Sequence, residues 1–257
     1  GTNADWETEG EDRTTMALPG QQDELVRRVA AVNPRTVVVI NAGSPVTMPW
    51  LDDVSAVLQV WFPGEEFGVA LVDMLFGDAE PGGRLPITMP ARLEDTPAFP
   101  YYPGVGVEMD YGEGLLIGHR WYDRTGVRPV FPFGHGLGYT TWVIDGCDAA
   151  APAADGSVVV TATVRNTGER GGATVLQCYV APRAPGDGRP LRTLRGFAKV
   201  HGEAGATATA TIVLPRRAFQ RWDIDLHDWV DEAGGHDVLV GWSSVDLVSA
   251  SSTPAPG

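Results

Sequence analysis

Basic residues are scarce in this 257-residue chain, in which 19 Lys and Arg residues face 33 Asp and Glu residues and the formal net charge is −14. Phosphate backbones and anionic lipid surfaces repel a chain of this charge, so nucleic acid is not an expected partner. Apolar runs are short as well, and none approaches the roughly 18 to 20 residues that a membrane-spanning helix needs. We therefore expect no nucleic acid and no membrane among its partners.

Cysteine and histidine are also few. Cys147 and Cys178 are the only cysteines, which excludes a disulfide-rich miniprotein and a cysteine-based zinc cluster. They form either one disulfide or two free thiols, and we favour two thiols. The five histidines show no H-x-x-x-H or H-E-x-x-H spacing, so we predict no metal site. The first residues, GTNADWETEG, have neither the basic nor the apolar region of a secretion signal.

Helix and strand patterns alternate over residues 1–89. The periodicity predicts helices at 19–33 and 64–76 and strands at 36–41, 56–61 and 84–88. Such alternation, with short loops, is typical of a parallel sheet with helices on its faces. The first part of the chain is therefore predicted to be α/β.

The rest of the chain divides into two further parts. Residues 90–141 are rich in Pro, Gly and aromatic side chains and show little periodicity, which indicates a packed extended connector. Residues 142–257 contain short β-rich runs separated by turn signals such as NTGERGG and APGDGRP, which predict an all-β sandwich. Its strands are expected at 157–165, 173–181, 206–214, 236–242 and 245–250.

Few segments carry a chemical motif. Gly43-Ser44-Pro45 is not a G-x-S-x-G nucleophile elbow, and FGHGLG at 133–138 lacks the spacing of a dinucleotide-binding loop, so both are interpreted as turns. The segment DWETEGEDR at 5–13 places five acidic residues in nine positions. From composition alone this segment is a solvated acidic loop.

Long motifs follow one another in a fixed order. They include DWETEGEDR at 5–13, VVVINAGSPVTMPW at 37–50, GDAEPGGRLPITMP at 77–90 and FPFGHGLGYTTW at 131–142. Together they resemble the C-terminal part of glycoside hydrolase family 3, and they look most similar to bacterial β-glucosidases. The resemblance implies the C-terminal part of an α/β sandwich domain at 1–89 and a fibronectin III-like domain at 142–257.

The acidic segment is where the resemblance places catalysis. A retaining glycosidase needs two carboxyl groups about 5 to 5.5 Å apart, one an ionised nucleophile and the other a protonated acid. The family pattern of Glu-Gly followed by Asp-Arg matches Glu9 to Arg13, which favours Glu9 over Glu7 as the acid/base. Glu11 stands where the family often has an aromatic residue. Trp6 either lines the aglycone side of the substrate site or packs the loop.

Two physical expectations accompany this assignment. An extended loop would point Glu7, Glu9 and Glu11 the same way, because side chains alternate along an extended chain. Neighbouring acids and the apolar face of Trp6 would raise the pKa of a glutamate in such a loop. Polar connector residues, namely Glu113, Arg120, Asp123 and His135, are expected to serve interdomain packing rather than sugar binding.

The resemblance thus implies an exo-acting, retaining β-glucosidase that needs no cofactor. Its substrate would be a β-glucoside, for example a glucosylated natural product, and its location extracellular. This chain would supply the acid/base, whereas a (β/α)8 barrel absent from this sequence would supply the Asp nucleophile. The alternative is a non-catalytic fragment that stabilises a partner chain or binds a glycan.

Overall fold

A computed structural model describes residues 1–10 and 12–253. The first part of the chain contains, in order, α1 (Gln22–Val32), β1 (Val37–Ile40), β2 (Ala56–Gln59) and α2 (Phe67–Phe76). The strands β1 and β2 pair in parallel, with Val37 opposite Ala56 and Ile40 opposite Gln59. Parallel neighbours of this kind, joined by a crossover and flanked by helices, confirm the predicted α/β class.

A small apolar core fixes the segment that follows β1. Ile40, Val46 and Trp50 are almost completely buried, together with Leu18 and Ala42. The indole N–H of Trp50 donates a hydrogen bond to Asp23 Oδ1 at 2.6 Å, which fastens the turn after this segment to α1. Residues 41–45 are therefore held from both ends.

The prediction of a strand at 84–88 is wrong, because the structure has no regular strand there. Leu85 and Met89 instead make scattered antiparallel hydrogen bonds to the connector, in which Leu85 N–H donates to His135 O and Met89 N–H to Phe131 O, each at 2.8 Å. Pro86 has no N–H, and a central strand needs that donor for its ladder, so a regular third strand does not form.

The connector is less irregular than its sequence suggests. It contains a helix, α3 (His119–Thr125), which ends at Gly126 in the left-handed region with φ of 72°. Tyr122 on α3 is buried, and Asp123 pairs with Arg192 of the β domain at 2.5 Å. We did not predict α3, because seven residues with mixed polarity give no helical period.

The last part of the chain is a β-sandwich, as predicted. Its strands are β3 (Trp142–Ala149), β4 (Val158–Asn166), β5 (Gly172–Pro182), β6 (Thr193–Gly202), β7 (Thr207–Leu214), β8 (Gln220–Asp223), β9 (Asp228–Asp231), β10 (His236–Gly241) and β11 (Leu247–Thr253). One sheet has the order β3-β4-β7 and the other β11-β10-β5-β6, while β8 and β9 form a separate hairpin. Alternate residues of both sheets, such as Val160, Leu176 and Val238, fill the space between them.

Polar contacts join the β domain to the preceding chain. The Glu80 carboxylate accepts the backbone N–H groups of Tyr139 and Ala173 at 3.0 and 2.6 Å. Gln177, which is buried, donates to the carbonyls of Gly134 and Trp242 at 3.0 and 2.8 Å. These bonds fix the connector on the sandwich, since a buried donor or acceptor that loses its partner is costly.

Both cysteines are free thiols. Cys178 lies in the buried core of the sandwich, and Cys147 is half-buried on β3. Helices long and apolar enough to cross a membrane do not occur among the described residues.

Candidate active site

The described residues of the acidic loop, 1–10 and 12–13, include several that contact the segment that leaves the carboxyl end of β1. Thr2 N–H donates to Asn41 O at 2.8 Å, and Asn3 O accepts the N–H groups of Trp6 and Glu7 at 3.0 Å each. The two bonds to Asn3 O turn the chain between residues 3 and 7. The loop is therefore folded back on itself before it reaches Glu7.

Five hydrogen-bond donors converge on the Glu7 carboxylate. Its Oε2 accepts Gly43 N–H at 2.8 Å and the Thr2 hydroxyl at 2.5 Å. Its Oε1 accepts Ser44 N–H at 3.1 Å, the Ser44 hydroxyl and the Arg13 guanidinium at 3.0 Å. The turn at Gly43 and Ser44, which we interpreted as a plain turn, is thus a binding site for a carboxylate of the same chain.

Arg13 closes the other side of this cluster. Its Nη1 donates to Glu7, to Ser44 Oγ at 2.7 Å and to Pro45 O at 3.3 Å. The side chains of Arg13 and Glu7 are only 14% and 11% exposed, so water screens the pair little. Both ends of the segment 7–13 are consequently fixed at one point on the turn after β1.

These contacts keep Glu7 ionised. Burial alone would raise the pKa of Glu7, but hydrogen bonds from Ser44, Thr2 and Gly43 and the charge of Arg13 outweigh it and lower the pKa to about 2. The expectation of a raised pKa is therefore wrong for Glu7. An ionised carboxylate with all its acceptor sites filled has no proton to give to a leaving group.

Glu9 lies in a different environment from Glu7. Its side chain is exposed, and within residues 1–10 and 12–253 no hydrogen bond holds it. The expectation of an extended loop that points Glu7 and Glu9 the same way is wrong. The chain turns at residues 3–7, and the side chain of Glu7 is largely buried while that of Glu9 is exposed. Trp6 is 41% exposed beside them. Glu11, the third alternating acid, lies outside the described residues.

Of the polar connector residues, Asp123 contacts the β domain, whereas His135 packs within the connector. Asp123 is bound by Arg192, and His135 stacks on Phe131 with ring centroids 5.1 Å apart. Asp123 and Arg192 also line a cavity of about 210 Å³ beside Tyr122. None of the residues that line this cavity belongs to the acidic loop. In the described part of the chain, no three His, Cys, Asp or Glu side chains form a group that could hold a metal ion.

Sequence reasoning missed the partners of Glu7. Gly43 and Ser44 lie 36 and 37 residues after Glu7, and only the fold brings them together. The one signal in the sequence was position: the segment N-A-G-S-P directly follows a buried strand, where backbone N–H groups of parallel sheets are exposed to ligands.

Comparison with known proteins agrees with this architecture. Residues 1–139 match the glycosyl hydrolase family 3 C-terminal domain, and residues 174–244 match a fibronectin type III-like domain. Among curated proteins, a β-glucosidase of Rhizobium radiobacter is 43% identical over 100% of this chain and 32% of its own length. A probable β-glucosidase I of Aspergillus clavatus is 40% identical over 98% of this chain and 31% of its own length.

Solved structures give the same result. The β-glucosidase DesR from Streptomyces venezuelae, in complex with D-glucose, superposes with a TM-score of 0.90 at 38% identity, over 97% of this chain and 32% of that one. A β-glucosidase from Kluyveromyces marxianus superposes with a TM-score of 0.93 at 39% identity, over 99% of this chain and 30% of that one. The chain thus spans about a third of the relatives that it matches. It belongs to glycosyl hydrolase family 3 and comprises the C-terminal domain of that family followed by a fibronectin type III-like domain.

Proposed function

We propose that this chain supplies the acid/base half of a retaining β-glucosidase, with Glu9 as the acid/base residue. The observation that supports it is a contrast within one loop. The Glu7 carboxylate accepts hydrogen bonds from five donors, whereas the side chain of Glu9 is exposed between two fixed residues, Glu7 and Arg13. In the first step Glu9 would donate its proton to the leaving oxygen. In the second step the same carboxylate would take a proton from the water that attacks the glycosyl-enzyme.

The reaction requires a second carboxyl group as nucleophile. We assign it to an Asp of an N-terminal barrel, because the relatives are about three times as long as this chain. The exposed apolar face of α2, formed by Val69, Val72 and Phe76, supports the proposal that a further part of the enzyme packs against this helix. The acid on this chain and the nucleophile on the barrel would then meet across the interface between the two.

The substrate we propose is a glycoside with a terminal, non-reducing β-D-glucosyl residue. The names of the relatives support the sugar and the bond, and the glucose bound to DesR supports the sugar. A glucosylated natural product remains our proposal for the aglycone. Trp6, which is exposed and precedes Glu9 by three residues, is the residue we propose on the aglycone side. The extracellular location stays a prediction.

The test is the leaving-group dependence of Glu9→Gln in the full-length enzyme. We expect kcat/KM, which reports formation of the glycosyl-enzyme, to fall by about 10² to 10⁴ for methyl β-D-glucoside and far less for 4-nitrophenyl β-D-glucoside, whose leaving group needs no proton. The exposed Glu169, in the turn before β5, provides the matched control Glu169→Gln. Equal kcat/KM values for wild type and Glu9→Gln on the methyl glucoside would contradict the proposal.

A further inference from the structure

Glu9 cannot hold itself in place. It is exposed, and none of the other described residues forms a hydrogen bond with its side chain. A general acid has to lie within hydrogen-bond reach of the leaving oxygen, and a misplacement of about 1 Å can cost on the order of 10² in rate. Something other than Glu9 must therefore fix the backbone that carries it.

The structure offers one anchor at the right place. Glu7 precedes Glu9 by two residues and Arg13 follows it by four, and their side chains meet at 3.0 Å. Both also bind Ser44, since the Ser44 hydroxyl donates to Glu7 and accepts from Arg13 Nη1 at 2.7 Å. Glu7 and Arg13 thus fix the two ends of the segment that carries Glu9 at one point, and fixing both ends of a segment removes most of its conformations.

The chemistry of this anchor is specific for a carboxylate. All five groups that reach the two oxygens of Glu7 are donors: two backbone N–H groups, two hydroxyls and a guanidinium. A carboxylate only accepts, so it satisfies all of them, whereas an amide would turn its own NH2 group toward one set of donors. A Cβ at Gly43 would lie 2.6 Å from the ring of Phe62, so a larger residue at this position would have to displace that exposed ring.

We propose that Glu7 is the positioning residue for Glu9, and that it acts by fixing the acidic loop, close to Glu9, on the turn at Gly43 and Ser44. This inference rests on the proposed function, because it assumes that Glu9 donates the proton. Glu7 itself does not touch the substrate in this account. Its loss frees the loop and lowers the fraction of time that Glu9 spends within reach of the leaving oxygen.

The experiment measures one ratio in the full-length enzyme, namely kcat/KM for methyl β-D-glucoside divided by kcat/KM for 4-nitrophenyl β-D-glucoside. Loss of positioning acts only on the substrate that needs a proton, so we expect Glu7→Gln to lower the ratio by about tenfold. Ser44→Ala, which removes one donor and leaves the Glu7 charge in place, should lower the ratio by less. It also provides the test if Glu7→Gln does not fold.

The matched control is Asp123→Asn. Asp123 is likewise a buried carboxylate bound to an arginine, Arg192, but it lies in the contact between α3 and the β domain. We expect this control to lower the thermal unfolding midpoint and to leave the ratio unchanged, which separates positioning from a general loss of stability.

The possible outcomes distinguish the positioning role of Glu7 from the proposed function of Glu9. A ratio within about twofold of wild type for both Glu7→Gln and Ser44→Ala, with a strongly lowered ratio for Glu9→Gln, would overturn the positioning role and leave the proposed function intact. An unchanged ratio for Glu9→Gln would overturn the proposed function itself. A lowered ratio for Glu7→Gln, smaller in effect than that of Glu9→Gln, supports both.

Discussion

Glu7 and Arg13 form a 3.0 Å ion pair across the base of the loop that carries Glu9. The two residues are six positions apart, yet both are fixed on Ser44, which lies in the segment after β1. A single turn of the α/β domain thus fixes the chain on both sides of Glu9, whose carboxyl is exposed. This relationship leads to the first prediction, on the pH dependence of stability.

The pKa of Glu7 in the folded protein, about 2, is below its ordinary value of 4.5. A depressed pKa means that the ionised form contributes stability above about pH 4.5, and that this contribution is lost as the pH falls toward 2. Glu7→Gln should therefore destabilise the enzyme by about 1 to 3 kcal/mol near neutral pH. The difference from wild type should shrink at about pH 3. Thermal unfolding midpoints at both pH values test this, and a difference that does not depend on pH would contradict it.

The cysteines lead to the second prediction. Both thiols should react with a thiol reagent in the denatured, non-reduced chain. In the native enzyme Cys178 should react slowly, because it is fully buried and burial raises its pKa to about 12, so that little thiolate forms. A titration that finds no thiols in the denatured chain would reveal a disulfide and contradict this account.

The third prediction concerns the role of the β domain. We expect it to stabilise the enzyme and not to select the substrate. Gln177 donates to the carbonyls of Gly134 and Trp242 and accepts the Tyr179 hydroxyl at 2.8 Å. Gln177→Leu leaves these groups buried without partners, which should cost about 1 to 3 kcal/mol.

The unfolding midpoint of Gln177→Leu should therefore fall while the relative kcat/KM values for different β-glucosides stay constant. The exposed Gln21→Leu, before α1, is the control for the amide-to-leucine change. A changed order of preference among glucosides, with an unchanged midpoint, would show that the β domain contributes to substrate selection.

The fourth prediction concerns the chain by itself. Because the nucleophile is assigned to the barrel, residues 1–257 alone should not hydrolyse 4-nitrophenyl β-D-glucoside. The exposed apolar face of α2 and the two-stranded sheet should make the isolated chain prone to association. Hydrolysis at the rate of the full-length enzyme by a purified, monomeric chain would contradict the division of the active site between two parts.

The fold was predictable where one local signal dominates. The β-branched run at Val37–Ile40 and the alternating residues of β4 indicated strands, and both form. The segment at 84–88 looked similar, but Pro86 removes a donor and the connector supplies the partners instead. The helix α3 escaped prediction because the burial of Tyr122 and the ion pair between Asp123 and Arg192 of the β domain, and not its periodicity, stabilise it.

The candidate site was predictable only in part. Glu7 and Glu9 are chemically identical residues two positions apart, so their composition and local periodicity do not show which carboxylate is hydrogen-bonded and which is exposed. The family pattern favoured Glu9, but the reason that Glu7 is occupied lies in Gly43 and Ser44, more than 35 residues away. Contacts at such separations depend on the fold of the parallel sheet and not on the local sequence.

The most direct test of the central claim is chemical rescue of Glu9→Ala by azide in the full-length enzyme. An enzyme without its acid/base still forms the glycosyl-enzyme from an activated glucoside, and azide needs no general base to attack that intermediate. We predict that azide accelerates hydrolysis of 4-nitrophenyl β-D-glucoside by Glu9→Ala and that the product is β-glucosyl azide. Glu169→Ala should show neither effect. The absence of both acceleration and β-glucosyl azide with Glu9→Ala would contradict the assignment of Glu9 as the acid/base.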